Sequence, residues 1–321
     1  MNTPKPIVVV SQCLGFDACR YNGESIPDKF VDKLAAYVSY EKVCPEVEIG
    51  LGVPRKPVRL VRAGRGVKLI QPDTGRDVTS EMKGFSDAYT SSLGEVDGFV
   101  FKGRSPSCGV FDARVYAKVD KSPTVERRPG LFAEAVLHRF PHAAVEDEGR
   151  LSNFRIREHF LTKIFLNARF RAAKERSTAA ALVRFQTEQK LLLMAYNQKE
   201  LRLLGKIVGN QERLSQEEVW KRYETHLQRA LVHPPRYTSH INVLMHGMGY
   251  FSRQISGREK SHFLDLLEQY RHARVPLSVP VAVARSWIER FDNEYLATQM
   301  FFEPYPKGLI EITDSGKGRD A

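Results

Sequence analysis

Four cysteines, Cys13, Cys19, Cys44 and Cys108, all fall in the first third of the 321-residue chain. Three stand in short turn-forming contexts: Ser11-Gln12-Cys13-Leu14-Gly15, Val43-Cys44-Pro45-Glu46 and Arg104-Ser105-Pro106-Ser107-Cys108-Gly109. In each, the cysteine lies where an extended stretch runs out into a turn. Three such turns at one edge of a sheet could gather three thiolates around an iron–sulfur cluster. Three ligands on a four-iron cluster leave one iron open to chemistry. Proline and glycine shape turns that expose backbone N–H groups, and such groups stabilise thiolates and bridging sulfides. No Cys-x-x-Cys pair is present, which excludes a zinc ribbon and a thioredoxin-type motif, and the spacings differ from ferredoxin runs. On spacing alone, four ordinary buried thiols are the competing reading.

The elements that must position these residues are read from periodicity. Ile7-Val8-Val9-Val10 is a buried strand, followed by a loop over 11–23. Apolar spacing predicts a helix over 26–40 and another over 80–93. Residues 47–50 read as extended, so Glu46 and Glu48 fall on one face by strand alternation. Residues 59–62 and 67–70 flank a Gly-rich turn and predict a hairpin. Strands follow over 98–102 and 144–146, with a helix over 131–139 between them. Strands alternating with helices predict an α/β fold with parallel strands. After residue 150 the pattern is almost wholly helical. The expected organisation is an α/β domain over 1–152, a helical connection over 153–178 and an all-α domain over 179–321. The extreme tail, 316–321, is expected to be disordered.

Hydrophobic residues make up 42% of the chain, enough for two cores, and the formal net charge is +11. That excess of positive charge suits a polyanionic partner. In the helical half, Lys190, Lys199 and Arg202 belong to a basic run interleaved with Tyr196, Tyr237 and Tyr250. Phosphate neutralisation by such a surface is one reading, and a solvated basic bundle face is the other. His233, His240, His246, His262 and His272 lack a metal-ligand spacing and read as surface or core residues. No run of 18 apolar residues and no signal-peptide pattern occurs, so a cytoplasmic protein without disulfides is expected.

The motifs carry a resemblance. Ser11-Gln12-Cys13 through Arg20-Tyr21-Asn22-Gly23, Cys44-Pro45-Glu46 through Pro54-Arg55-Lys56-Pro57, and Ser105-Pro106-Ser107-Cys108-Gly109, in that order, resemble the thiouracil desulfurase family over roughly residues 5–150. Gln189-Lys190 through Asn197 and Leu204-Gly205-Lys206 resemble the YbgA-like domain. The fusion of the two is similar to bacterial desulfidases that convert 4-thiouridine in tRNA to uridine. The resemblance implies a Rossmann-like three-layer α/β domain followed by the helical one. It implies a 4Fe–4S cluster held by Cys13, Cys44 and Cys108, with Cys19 outside the ligand set. It also implies a non-redox reaction in which the open iron acts as a soft Lewis acid on the thiocarbonyl sulfur and sulfide is released.

Within that frame Glu46 is the expected general base, with Glu48 its competitor. A salt bridge from Glu46 to Arg20 or Arg55 is the alternative reading. Ser105 is expected to bond the substrate or relay a proton, and Ser107 to shape the turn. Arg20, Tyr21, Arg55 and Arg104 are candidate contacts to base or phosphate, with Lys102 adding positive potential and Lys190, Lys199 and Arg202 contacting tRNA further away. The other readings are desulfuration of free thiouracil or thionucleosides, a redox-sensing RNA-binding protein, and a structural zinc protein.

Overall fold

The structure, a computed structural model, describes residues 4–311, so the tail over 316–321 lies outside the described residues. Among them the chain divides into two compact units, one built from residues 4–168 with 308–311 and the other from 169–307.

The first unit holds nine strands: β1 (Ile7–Ser11), β2 (Ser39–Val43), β3 (Arg59–Ala63), β4 (Gly66–Gln71), β5 (Arg76–Asp77), β6 (Gly98–Phe101), β7 (Ala113–Tyr116), β8 (Thr124–Arg128) and β9 (Ala144–Asp147). Its helices are α1 (Lys29–Leu34), α2 (Pro45–Glu48), α3 (Thr79–Ser92), α4 (Leu131–Arg139) and the first part of α5 (Phe154–Glu175). Four strands form a parallel sheet in the order β2-β1-β6-β9. Val8, Val9, Val10, Phe99, Val100 and Phe101 are all fully buried, as expected of a parallel sheet covered on both faces. Alternation sends Val9, Phe99 and Phe101 into one core with Met82 of α3 and Phe132 and Val136 of α4. On the other face α5 lies so close that a Cβ on Gly98 would meet Ile164 Cγ2 at 2.6 Å. The fold is therefore α/β with helices on both sides of the parallel sheet. A second, mixed sheet in the order β5-β4-β3-β7-β8 shares the α3/α4 core through Leu60, Leu69 and Val115.

Two local expectations are corrected. The helix over 26–40 is realised only as α1, whose Asp28 cap accepts from the Phe30 and Val31 amides at 3.0 Å. Ser39–Val43 is instead the edge strand β2, pairing with β1 from Ile7↔Ser39 to Ser11↔Val43. Only Val43 in it is buried, so it carries no alternating signal. The segment 47–50, expected to be extended, instead falls in the helical turn Pro45–Glu48 and the turn after it, because Pro45 fits the first helical position and the Cys44 carbonyl accepts from the Val47 and Glu48 amides at 3.0 and 3.1 Å.

Lys163 on α5 donates to the Ala143 carbonyl at 3.3 Å, and burial pushes its ammonium down to about 8, opposed by Glu146. Below pH 8 both folded and unfolded chains carry this charge, and the folded chain bears the full desolvation cost. Between 8 and the unfolded value near 10.5 only the unfolded chain holds the proton, so the stability from this site rises with pH. Lys163→Met is expected to stabilise the unit by about 1–3 kcal/mol at pH 7, with the gain fading toward pH 10.5 in thermal melts across that range.

The second unit is helical: the end of α5, then α6 (Ala179–Tyr196), α7 (Gln198–Gly209), α8 (Gln216–Ala230), α9 (Tyr237–Gly249), α10 (Gly257–Arg271), α11 (Ser278–Arg290) and α12 (Glu294–Ala297). Side chains typical of N-caps start most of them. Thr178, Asn197, Ser215, Ser256 and Asn293 each accept an amide of the first turn, and Ser256 with Glu259 completes a capping box. Phe170, Phe185, Trp220 and Tyr223 stack into one aromatic core, and Phe263 packs on Trp287 with ring centres 4.9 Å apart. The expected connection over 153–178 is largely α5, whose residues to Ala168 belong with the first unit. No helix of the described residues is long and apolar enough to cross a membrane.

Candidate functional site

Ligands of open parallel sheets bind beyond the carboxyl ends of the strands, where the strand order reverses. From β1 the chain moves to β2 on one side and later returns to β6 on the other, so β1 marks that reversal. The cysteine-bearing turns leave these three neighbouring strands. Cys13 follows β1, Cys44 follows β2, and Cys108 lies on the turn reached from β6. Strand-end hydrogen bonds lace the turns together. The Gln12 amide donates to the Val43 carbonyl at 2.9 Å, and the Lys102 amide donates to the buried Ser11 Oγ at 2.9 Å. The result is a cavity of about 390 Å³ whose wall contains Cys13, Cys19, Cys44, Glu46, Arg55 and Cys108. Arg20, Tyr21, Lys102, Arg104 and Ser105 also line it. Its size falls within the usual small-ligand range of about 300–1,000 Å³.

The third cysteine turn is held by a helix end. The Ser105 hydroxyl oxygen accepts from the Ser107 and Cys108 amides at 3.2 and 3.0 Å, and the Gly109 amide donates to the Ser105 carbonyl at 2.9 Å. The otherwise unsatisfied first amides of α4 then donate to this turn, Phe132 and Ala133 to the Ser107 carbonyl at 3.0 and 3.1 Å and Leu131 to Pro106 at 3.2 Å. Gly130 permits that approach, since a Cβ there would sit 2.5 Å from the Ser107 carbonyl. Gly130→Ala must shift backbone, and a loss of about 1–3 kcal/mol is expected in chemical denaturation. Gly84→Ala, in an open position of α3, is the control and is expected to gain up to about 1 kcal/mol.

Glu46 is clamped. Arg55 Nε and Nη2 reach its Oε2 at 2.9 and 2.8 Å, and the fully buried Ser107 Oγ donates to Oε1 at 2.9 Å. Arg55 Nη1 also donates to the carbonyls of Cys19 and Gly52 at 2.9 and 3.1 Å. A carboxylate has about four lone-pair positions, and these contacts engage three, leaving one on Oε1. Glu48 is exposed, because the helical turn sends it away from Glu46's face. Ser105 thus holds the turn, whereas Ser107 reaches the carboxylate.

The thiols are free of disulfides. Burial raises the Cys13 thiol to about 11, reinforced by Cys44 and opposed by Lys102 and Arg20. Burial raises Cys19 to about 12, again reinforced by Cys44, and pushes Cys108 well above its ordinary value. Such buried thiols hold their protons until a soft cation displaces them. Four sulfur donors, some of them beside basic side chains, fit an iron–sulfur group, because soft iron prefers thiolate to the hard oxygens of a carboxylate. Among the described residues no three His, Cys, Asp or Glu side chains form a group suited to a single metal ion. The thiols surround a space rather than a point.

At the rim, Arg20 lies 5.4 Å from the Tyr21 ring centre and 3.6 Å from Glu24, and Tyr21 is 43% exposed. Lys102 is ion-paired to Glu148. Arg104 takes a left-handed φ of 62° and leaves its side chain 80% exposed. Lys190, Lys199 and Arg202 are exposed on α6 and α7, in the helical unit. Sequence reasoning passed over Cys19 as part of the wall and Ser107 as the partner of Glu46. Cys19 lacks a flanking proline or glycine, and Ser107 meets Glu46 across 61 residues of chain.

An α/β unit whose parallel strands deliver thiols, a clamped carboxylate and a basic rim to one crevice is a thiol-lined ligand site at a topological switch point. A family model described as 2-thiouracil desulfurase matches residues 8–148, and one described as a protein of unknown function, DUF1722, matches residues 190–306. The uncharacterized protein YbbK of Bacillus subtilis is 32% identical over 111 residues, covering 32% of this chain and 73% of that protein. The uncharacterized protein YbgA of Escherichia coli is 29% identical over 158 residues, covering 49% of this chain and 93% of that protein. Among solved structures, the [4Fe-4S]-dependent thiouracil desulfidase TudS shares 30% identity with a TM-score of 0.37, covering 46% of this chain and 93% of that one. The chain belongs to the 2-thiouracil desulfurase family, with a YbgA-like helical unit fused behind it.

Proposed function

We propose that the protein is an iron–sulfur desulfidase that replaces the thiocarbonyl sulfur of 4-thiouridine in tRNA by oxygen, with Cys13, Cys44 and Cys108 holding a 4Fe–4S cluster. The observation that carries the reading is the convergence of these thiols and the clamped Glu46 on one 390 Å³ cavity at the switch point. When bound, a cluster with three protein ligands supplies a soft Lewis-acidic iron with a vacant position, suited to a thiocarbonyl sulfur. Glu46 supplies the base. Its remaining lone pair accepts a proton from the water that attacks the ring carbon, while Arg55 and Ser107 fix the carboxylate in place. Arg20 and Arg104 bring positive charge to the rim, where a nucleotide phosphate would sit. The basic residues Lys190, Lys199 and Arg202 would bind the body of the tRNA.

The test is anaerobic reconstitution of the full chain with iron and sulfide, treatment of 4-thiouridine-bearing tRNA, and mass-spectrometric analysis of its nucleosides. Loss of 4-thiouridine matched by uridine and sulfide supports the reading. Turnover of free 2-thiouracil or 4-thiouridine with tRNA left intact would favour the small-molecule alternative, to which the family description points.

A further inference from the structure

A second cavity, of about 480 Å³, adjoins the first and shares the wall Lys102–Gly103–Arg104 with it. Its side chains are of three kinds. Phe111 presents an aromatic ring that is 48% exposed, with the Arg150 guanidinium 4.7 Å from the ring centre. Asp112, Asp147 and Glu148 supply carboxylate acceptors. Arg104 stands on the dividing wall, its left-handed backbone held by an amide bond to Asp112 Oδ1 at 2.7 Å. A non-glycine residue in that conformation is costly and persists where surrounding structure fixes it, commonly at ligand sites. Asp112 also holds the side chain, with Arg104 Nε 4.0 Å from Asp112 Oδ2, yet that side chain stays 80% exposed at the boundary.

These three kinds of group match the parts of a ribonucleotide. A base stacks on an aromatic ring or a guanidinium plane, a ribose 2′-hydroxyl donates to a carboxylate, and a phosphate takes an exposed arginine. We propose that the second cavity is a subsite for the nucleotide next to the thiolated one, so that the site receives a dinucleotide step of an RNA strand. The neighbouring base stacks on Phe111, its ribose hydroxyl meets the carboxylates, and the linking phosphate crosses the wall at Arg104. This inference rests on the desulfidase reading and specifies its substrate class, a polyribonucleotide rather than a free base.

The experiment compares reconstituted wild type with Phe111→Ala and Phe111→Trp on 4-thiouridine and on ribodinucleotides containing it with the neighbour on either side. A second arm measures binding of the same dinucleotides without sulfur to cluster-free protein. Wild type is expected to favour one dinucleotide over the nucleoside at least tenfold in kcat/KM. Phe111→Ala should bring that ratio close to one and weaken plain dinucleotide binding about tenfold, Phe111→Trp should keep both, and a 2′-deoxy neighbour should lose several-fold. Equal use of nucleoside and dinucleotides by wild type, or an unchanged ratio in Phe111→Ala, overturns the subsite. Absence of turnover on every substrate overturns the desulfidase reading. The binding arm still decides the subsite in that case, since a tenfold weakening in Phe111→Ala supports it and unchanged binding overturns it.

Discussion

Cys13→Ala, Cys44→Ala and Cys108→Ala are each expected to abolish retention of reconstituted iron and reduce desulfurase turnover to background, whereas Cys19→Ala keeps both. The three residues follow three different strands, so each substitution removes a thiol delivered from its own direction. Cys19 also faces the cavity and its thiol meets that of Cys44, but its main-chain carbonyl is what ties it to Arg55. Its carbonyl accepts from Arg55 Nη1 at 2.9 Å and lies 3.8 Å from Cys44 Sγ. Alanine preserves that carbonyl. Iron and acid-labile sulfide analysis with the visible absorption spectrum checks the prediction, and full loss in Cys19→Ala alone would show that the ligand set is wrong.

Glu46→Gln is expected to retain the cluster and lose about 10²–10⁴-fold in turnover, the range for removing a positioned general base. Glutamine keeps an oxygen for Arg55, which matters because that guanidinium is only 5% exposed. Glu46→Ala leaves that buried charge without its counter-ion, held only by the Cys19 and Gly52 carbonyls, and adds a stability loss of about 3–5 kcal/mol, so a melt must accompany that variant. Glu48→Gln, on an exposed carboxylate, is expected to stay within twofold of wild type. Ser107→Ala removes one of the bonds that orient Glu46 and should lower turnover with little change in iron content. A Glu46→Gln enzyme with normal rates would remove this carboxylate from the reaction.

The parts of the site legible in the sequence are those defined by local turn chemistry. Cys13, Cys44 and Cys108 each carry a flanking glycine or proline, and the helices of the second half announce themselves by caps such as Ser256 and Asn197. Strands β2 and β8 hid because edge strands face water and lose the apolar alternation that marks a buried one. The pairing of Glu46 with Arg55 was one of two options that charge allowed, and three-dimensional proximity chose between them. The link from Ser107 to Glu46 could not be read at all, since nothing local distinguishes a serine that shapes a turn from one that reaches another strand's end. Arg104 is similar, because its left-handed backbone depends on Asp112 eight residues away.

The three turns around the cavity come from β1, β2 and β6, with β1 in the middle and β6 some ninety residues downstream of it. Parallel pairing over such separations forms slowly, because loop-closure entropy must be overcome before the contacts form. On a ribosome, a nascent chain that has exposed Cys13 and Cys44 still lacks the strand that delivers Cys108. Under the proposed ligand set, a polypeptide stalled before Cys108 would lack one of its three thiols, so loading with iron is expected only once β6 has joined the sheet, and the colour of a loaded protein would report completed sheet assembly.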